Sequence, residues 1–197
     1  MKKYMALASL LLFTPLTALA DGWGMTHHTN NIYSATSQAQ APSKILPTID
    51  YWHRRVHFQF DAMETIASLG REDKFRSGFN MYYSLRRGKM LDGVRGSFQF
   101  GVSVDIDQYK GAALTSDDEE ASGGTDVYTN IWALAQPRLG MEIFRKKSRF
   151  GFGIYVVSGI GIARVPNVER ASNEDPLQAT ELAVGTGLQI SSWMLIK

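Results

Sequence analysis

The chain has 197 residues, 44% hydrophobic and 20% charged, with no cysteine and a formal net charge of +2 at pH 7. The length suits one domain, and the missing cysteines exclude disulfides and thiolate metal sites. The near balance of charge removes any general attraction to nucleic acid.

The N-terminus reads as an address. Lys2 and Lys3 precede the apolar run Met5 to Leu16, and Ala18-Leu19-Ala20 closes it. A basic segment, an apolar segment and an A-x-A site make residues 1–20 a cleaved signal peptide, so the expectation is export. This segment holds two lysines and no acid, which leaves the rest of the chain neutral. Residues 21–47 show no clean period and are rich in Ser, Thr, Asn, Gln and Gly. They read as an irregular arm with room for one short strand.

Residues 48–197 read as one β domain. From Ile49, Trp52, Val56, Phe58 and Phe60 share one parity, opposed by Tyr51, His53, Arg55, His57, Gln59 and Asp61. Arg54 is the misfit on the apolar side. Residues 62–74 read as a polar loop. A second strand sets Phe75, Phe79, Met81, Tyr83 and Leu85 against Arg76, Gly78, Asn80, Tyr82 and Arg86. Arg87-Gly88-Lys89 and then Asp92-Gly93 are turn signals. The cleanest alternation follows, with Phe98, Phe100, Val102, Val104 and Ile106 against Ser97, Gln99, Ser103, Asp105 and Asp107.

After a long loop carrying Asp117-Asp118-Glu119-Glu120, a fourth strand opposes Ile131, Ala133, Leu139, Met141 and Ile143 to Tyr128, Asn130, Gln136, Arg138 and Glu142. Trp132 and Leu134 stand on its polar side, and Pro137 predicts a bulge or kink. The basic turn Arg145-Lys146-Lys147 leads into Arg149–Arg164, which holds no charge between its two arginines. Its even positions carry Phe150, Phe152, Ile154, Val156, Ile160 and Ile162, and its odd positions are mostly Gly or Ala. That period of two is a strand's, and its four glycines would each cost a helix about 1 kcal/mol. A last strand opposes Leu182, Val184, Leu188, Ile190 and Met194 to Glu181, Gly185, Gly187, Gln189 and Ser191.

Long and short connections alternate: long at 62–74, 109–125 and 165–178, short at 87–94 and 144–148. A tilted membrane strand needs about 9–11 residues, and outer-membrane barrels alternate long outer loops with short inner turns. The reading is therefore all-β: an antiparallel up-and-down transmembrane β-barrel with both ends on the inner side. Six strands are legible, whereas single-chain barrels start at about eight. Two hidden strands, for example around Gly24–Tyr33 and Met63–Leu69, would complete eight; the alternatives are a sheet closed with other subunits or a shortened relative of a longer barrel.

On S-F-Q-F-G-V-S-V-D-I-D at 97–107, P-R-L-G-M-E-I-F at 137–144 and R-F-G-F-G-I-Y-V-V-S-G-I-G-I-A at 149–163, the chain resembles the small outer-membrane β-barrel proteins of the OmpA-, OmpW- and Opa-like group. The segment I-L-P-T-I-D-Y at 45–51 is faintly similar to the MltA-interacting (MipA/OmpV-like) barrels. The resemblance implies outer-membrane lipid, lipopolysaccharide and the barrel-assembly machinery as partners, and leaves an oligomer open. Members commonly end on an aromatic residue, whereas here Trp193 is followed by Met-Leu-Ile-Lys.

The lumen-facing parity groups Arg55, Arg76, Asp105, Asp107, Arg138, Glu142 and Glu181 into a polar network, with His53 and His57 as further cations. Such groups fix strand register and fill a narrow barrel. His27-His28-Thr29-Asn30 resembles the H-x-S-N motif of the lipid A 3-O-deacylases, with Thr29 in place of the nucleophile and His27 and Asn30 beside it. Tyr51, Trp52, Tyr82, Tyr83, Tyr109, Tyr128 and Trp193 read as an interfacial girdle, and Tyr155 as lumen packing. No metal or cofactor motif is present. Three functions follow: a non-enzymatic outer-membrane barrel with a structural, adhesive or narrow-pore role; a lipid A-modifying acyl hydrolase; or a soluble exported lipocalin-like barrel. The parity that faces outward separates the third from the others.

Overall fold

The computed structural model describes residues 21–35, 40–41, 44–69, 71, 74–112, 125–144, 149–166 and 178–196. The expected signal peptide at 1–20, the acidic run 117–120 and the basic turn 145–147 lie outside the described residues. The order is β1 (Gly22–Ser34), β2 (Thr48–His53), β3 (Val56–Phe60), α1 (Ala62–Leu69), β4 (Lys74–Leu91), β5 (Val94–Ala112), β6 (Thr125–Phe144), β7 (Phe150–Pro166) and β8 (Gln178–Leu195). Neighbours in sequence pair antiparallel, and β8 returns to pair with β1, so the eight strands close a barrel.

The two strands that complete the ring are not both the expected ones. Gly22–Ser34, inside the presumed arm, is a full wall strand paired with β8 from Gly22↔Leu195 to Ser34↔Ala183. Met63–Leu69 is helical instead. Ala, Met, Glu and Leu are strong helix formers, and Asp61 stands at the N-cap, its carbonyl accepting from Thr65 N at 2.8 Å. The eighth strand comes from splitting the run 49–60 into a hairpin. Arg54 takes a positive φ of 53° in a two-residue turn with Arg55. The turn pairs Trp52 with His57, so both face inward although their parities differ. Arg54 is thus a turn residue and not a strand misfit. Likewise, Arg87–Lys89 continues β4, with register shifts between Ser84 and Arg86 and between Lys89 and Leu91, and the turn falls at Asp92-Gly93.

The parity of Arg149–Arg164 holds in space. Phe150, Phe152, Ile154, Val156, Ile160 and Ile162 are exposed, whereas Gly151, Gly153, Tyr155, Val157, Ala163 and Val165 are buried. Glycine is needed at 140 and 153 because the Tyr155 ring lies where their Cβ atoms would be, and at 151 because the Trp193 ring does. Pro137 produces no register shift. It stays opposite Phe100, and the β6–β7 ladder skips from Ala135↔Ile160 to Arg138↔Val157. Trp132 and Leu134 face the lumen, where they join Ile32, Ala41, Ala163, Val165 and Ala183 in one apolar cluster.

The whole molecule is inverted relative to a protein folded for water. Among the described residues, 21 polar or charged residues are buried against 13 hydrophobic ones, while 31 large hydrophobics are exposed. The helix shows the same inversion. Its Ser68 and Thr65 bond to β4, while Ile66 and Leu69, each 70% exposed, point away. An amphipathic helix in water would turn the other way.

The wall is uneven. β4–β8 have 17–20 residues each, but β2 and β3 have 6 and 5. β2 meets β1 only over Gly22–Thr26, and β3 meets β4 only over Phe79–Tyr83. Above that level, toward the long loops, the link before β2 and the helix stand in for strands. Ser68 Oγ receives the Arg76 N–H at 3.0 Å and donates to the Arg76 carbonyl at 3.2 Å, and Asp61 N–H donates to the Gly78 carbonyl at 3.0 Å. These bonds occupy part of the β4 edge that β3 is too short to reach. Glu64 holds the link by accepting the Ile45 and Leu46 N–H groups at 2.8 and 2.9 Å.

Candidate functional sites in the lumen

The lumen holds two polar assemblies. The first fills mid-height and is centred on Arg138 of β6, only 1% exposed. Its guanidinium lies between the rings of Tyr82 and Tyr155, 3.7 and 4.4 Å from their centroids. It donates to Gln189 Oε1 at 2.7 Å, to Gln99 Oε1 at 2.6 and 3.0 Å, and to His57 Nδ1. His57 in turn donates from Nε2 to Asp50 at 3.0 Å, and Thr26 and Thr48 also donate to that carboxylate. The tautomer follows from these partners, since Arg138 can only donate. On the other side, Glu142 accepts from Tyr155 at 3.1 Å and from Gln99 at 3.2 Å, and Arg87 approaches it at 3.5 Å. Below this layer, toward the short turns, Trp52 stacks on His57 at 3.5 Å and meets Trp193 at 5.0 Å.

An Asp–His pair resembles the orienter and base of a nucleophilic site. Here the nitrogen that would take a proton already accepts from Arg138, and no described pocket is lined by His57. A buried guanidinium with this many partners ties β6 to the strands that face it across the lumen.

The second assembly lies toward the long loops. Lys44, from the link, pairs with Asp61 at 2.8 Å and Asp105 at 2.7 Å. The two carboxylates meet above Gly78, where a Cβ would strike both. Arg76 Nε donates to Asp107 at 2.9 Å, and Ser34 donates to Glu181. Burial opposes the charge on Lys44, but the facing Asp105 and Asp61 carboxylates hold its pKa above the usual lysine range. Burial pushes Asp61 up, Lys44 opposes this, and Asp105 adds to it. Ile32, Ala41 and Trp132 join these groups around a small cavity of about 30 Å³, open on one side.

The residues singled out by sequence thus fall in different places. Arg138 and Glu142 belong to the mid-height core. Arg76, Asp105, Asp107 and Glu181 line the loop end. Arg55 sits in the β2–β3 turn, where the hairpin breaks the strand parity read from the sequence. His27 and Thr29 lie on the outer face of β1, and Thr29 Oγ1 is bonded to the main chain of Leu188 at 3.3 Å. No described hydrogen bond joins His27 to Thr29, and the Asn30 side chain lies outside the described residues. The aromatic girdle is partly inverted too: Trp52, Tyr82, Tyr128 and Trp193 are buried, while Tyr83 is exposed.

Sequence reasoning passed over Lys44, which stands between two prolines in a segment without period. It also passed over Asp50, which shares the parity read as outward before the hairpin is known, and Gln99 and Gln189 as acceptors, although these two follow the lumen parity of their strands. Fold and lumen together define a closed eight-stranded antiparallel barrel with an apolar outer wall and a filled polar interior. No protein-family model, curated protein sequence or solved structure matches this chain.

Proposed function

We propose that the protein is a non-enzymatic outer-membrane barrel, plugged at mid-height, whose role is structural or adhesive and is carried by its loop end. The inversion of polarity supports the membrane reading, since a wall of exposed Phe, Ile, Val, Leu and Met suits lipid and is costly in water. It is the reverse of a lipocalin, which lines its interior with apolar side chains. The outward turn of Ile66 and Leu69 supports the same reading from a different element. Strands of 17–20 residues exceed the span of about 9–11 needed, so the barrel rises past the bilayer on the side of the long loops. The Arg138 core supports a plug in place of a pore.

Fractionation tests the membrane part. The chain is expected in the membrane pellet after carbonate and high-salt washes, migrating as a compact band on unboiled gels. Recovery in the aqueous phase overturns the reading. In a planar bilayer the purified barrel is expected to show no steady conductance, and a stable open channel would refute the plug.

A further inference from the structure

We infer, on the membrane reading above, that a polar patch on the outer face of β1 is where two copies of this chain meet side by side in the bilayer. The outward positions of β1 run Trp23, Met25, His27, Thr29, Asn31 and Tyr33, all exposed. Trp23 and Tyr33 end a stretch that matches the about 9–11 residues a tilted strand needs to cross. The three polar side chains between them therefore lie at the depth of the acyl chains. The patch continues sideways. Asn31 pairs with Thr186 of β8 and Thr186 with Ser158 of β7, and both of these residues are exposed. Ser158 has the exposed Val156 and Ile160 on either side of it along the same face, so it too lies inside the apolar band. The opposite wall shows no such break: β5 turns out Phe98, Phe100, Val102 and Val104, and β6 Leu139, Met141 and Ile143.

Acyl chains offer neither donor nor acceptor, and a polar group left unpaired among them is costly. Thr29 meets this cost from within. Its Oγ1 accepts from the Leu188 N–H and donates to the Leu188 carbonyl, both at 3.3 Å. A short hydroxyl can do this, whereas the longer His27 imidazole and Asn31 carboxamide reach away from the wall. Side chains of these types hydrogen-bond membrane-spanning helices to one another, and a barrel wall can use them likewise. The composition of the patch selects the partner. It holds no Asp, Glu, Lys or Arg, so a charged partner finds no counter-charge. A lipid headgroup stays at the depth of the Trp23 and Tyr33 rings. Two copies inserted in the same direction are related by a two-fold axis along the membrane normal, which keeps every residue at its own depth. Each group then meets its own kind. A neutral imidazole, a carboxamide and a hydroxyl each donate and accept, so each can pair with itself. A second copy satisfies the patch with no further chemistry.

The chain has no cysteine, so single-cysteine variants report cleanly. Ser158→Cys, in the patch, and Val102→Cys, on the opposite wall, are purified and reconstituted separately into phosphatidylcholine vesicles free of other protein. Each is treated with a short bis-maleimide over a series of lipid-to-protein ratios. Ser158→Cys is expected to give a covalent dimer that persists on dilution, and Val102→Cys none. Added to Ser158→Cys, His27→Leu and Asn31→Leu are each expected to lower the ratio at which half the dimer is lost about tenfold, the scale of two symmetry-related hydrogen bonds. Both changes make the outer wall more apolar and touch no lumen group, so the compact gel band stays. A chain recovered outside the vesicles sinks the membrane reading and the dimer with it. A compact, vesicle-bound barrel left uncrosslinked at every ratio overturns the dimer alone, and gives the patch to a polar lipid or another chain. Equal crosslinking of Val102→Cys overturns it too, as does undiminished crosslinking in both leucine variants.

Discussion

The two sides of the barrel are built on different principles. From β4 to β8 the wall is closed by main-chain ladders, with β5 and β6 in register from Val94↔Ile143 to Ala112↔Thr125. Between β1 and β4 the ladder rises only as far as the short β2–β3 hairpin, and side chains complete it: Ser68 on the β4 edge, Glu64 on the link, Lys44 into the lumen. A ladder satisfies the backbone regardless of sequence, whereas a side-chain patch depends on particular residues. The tall side therefore tolerates any apolar outer residue, while the low side is where single polar substitutions are felt locally. The loop-end pocket opens where the two constructions meet.

The largest effect is expected from removing the tie between them. Arg138 stands on the tall wall and reaches His57 on the low hairpin. Arg138→Met strips the acceptors Gln99, Gln189 and His57 of their donor, and the expected loss is about 3–5 kcal/mol, the scale for breaking a buried charged network. It is read as a fall in the urea concentration at which the compact gel band disappears. Next comes Gly140→Ala, within the tall wall. The added methyl strikes the Tyr155 ring and the Ile154 carbonyl, and overpacking of this kind costs about 1–3 kcal/mol in the same assay.

Ser68→Ala sharpens the contrast. It should cost only about 1 kcal/mol. Its mark is local: faster amide hydrogen exchange at Arg76, with exchange on β6 and β7 unchanged. Equal acceleration on both sides would show that the low side has no independence.

The smallest effect is an alkaline one. The Lys44 pKa in the folded barrel lies above the ordinary 10.5 of a lysine. Its contribution is thus fully present below about pH 10.5 and is lost as the pH rises toward the higher folded value. Urea midpoints should decline more steeply above that pH in the wild type than in Lys44→Met.

The tall side was legible because its strands hold long stretches that alternate outward bulk with polar or small lumen residues, most cleanly in β5 and β7 and less so in β6, where Trp132 and Leu134 face inward. The low side was not, and particular residues show why. Arg54, at positive φ, hides a turn inside what looks like one continuous strand, since Trp52 and Phe58 share a parity that the hairpin reverses. β1 lacks bulk at several outward positions, so His27 and Thr29 disguise its alternation. The helix was hidden by its own inversion, with Ser68 on the inner face and Leu69 on the outer. Of the lumen groups, those on long strands followed from parity. Lys44 did not, because its position is set by the Glu64 bonds to Ile45 and Leu46 and by no local period.

The seam between β1 and β8 has a kinetic consequence. Thr26 and Ser191, in hydrogen-bond contact at 2.6 Å, are 165 residues apart in the chain, and all 13 pairs of that ladder join its first strand to its last. No other strand junction spans more than a fraction of this distance. Until it forms, β1 and β8 both carry unsatisfied edges, and the hairpins already made cannot enclose the Arg138 core. Ring closure is thus the most costly contact in loop entropy. Folding of this chain should be slow and all-or-none, its speed governed by how quickly two distant strands find one register.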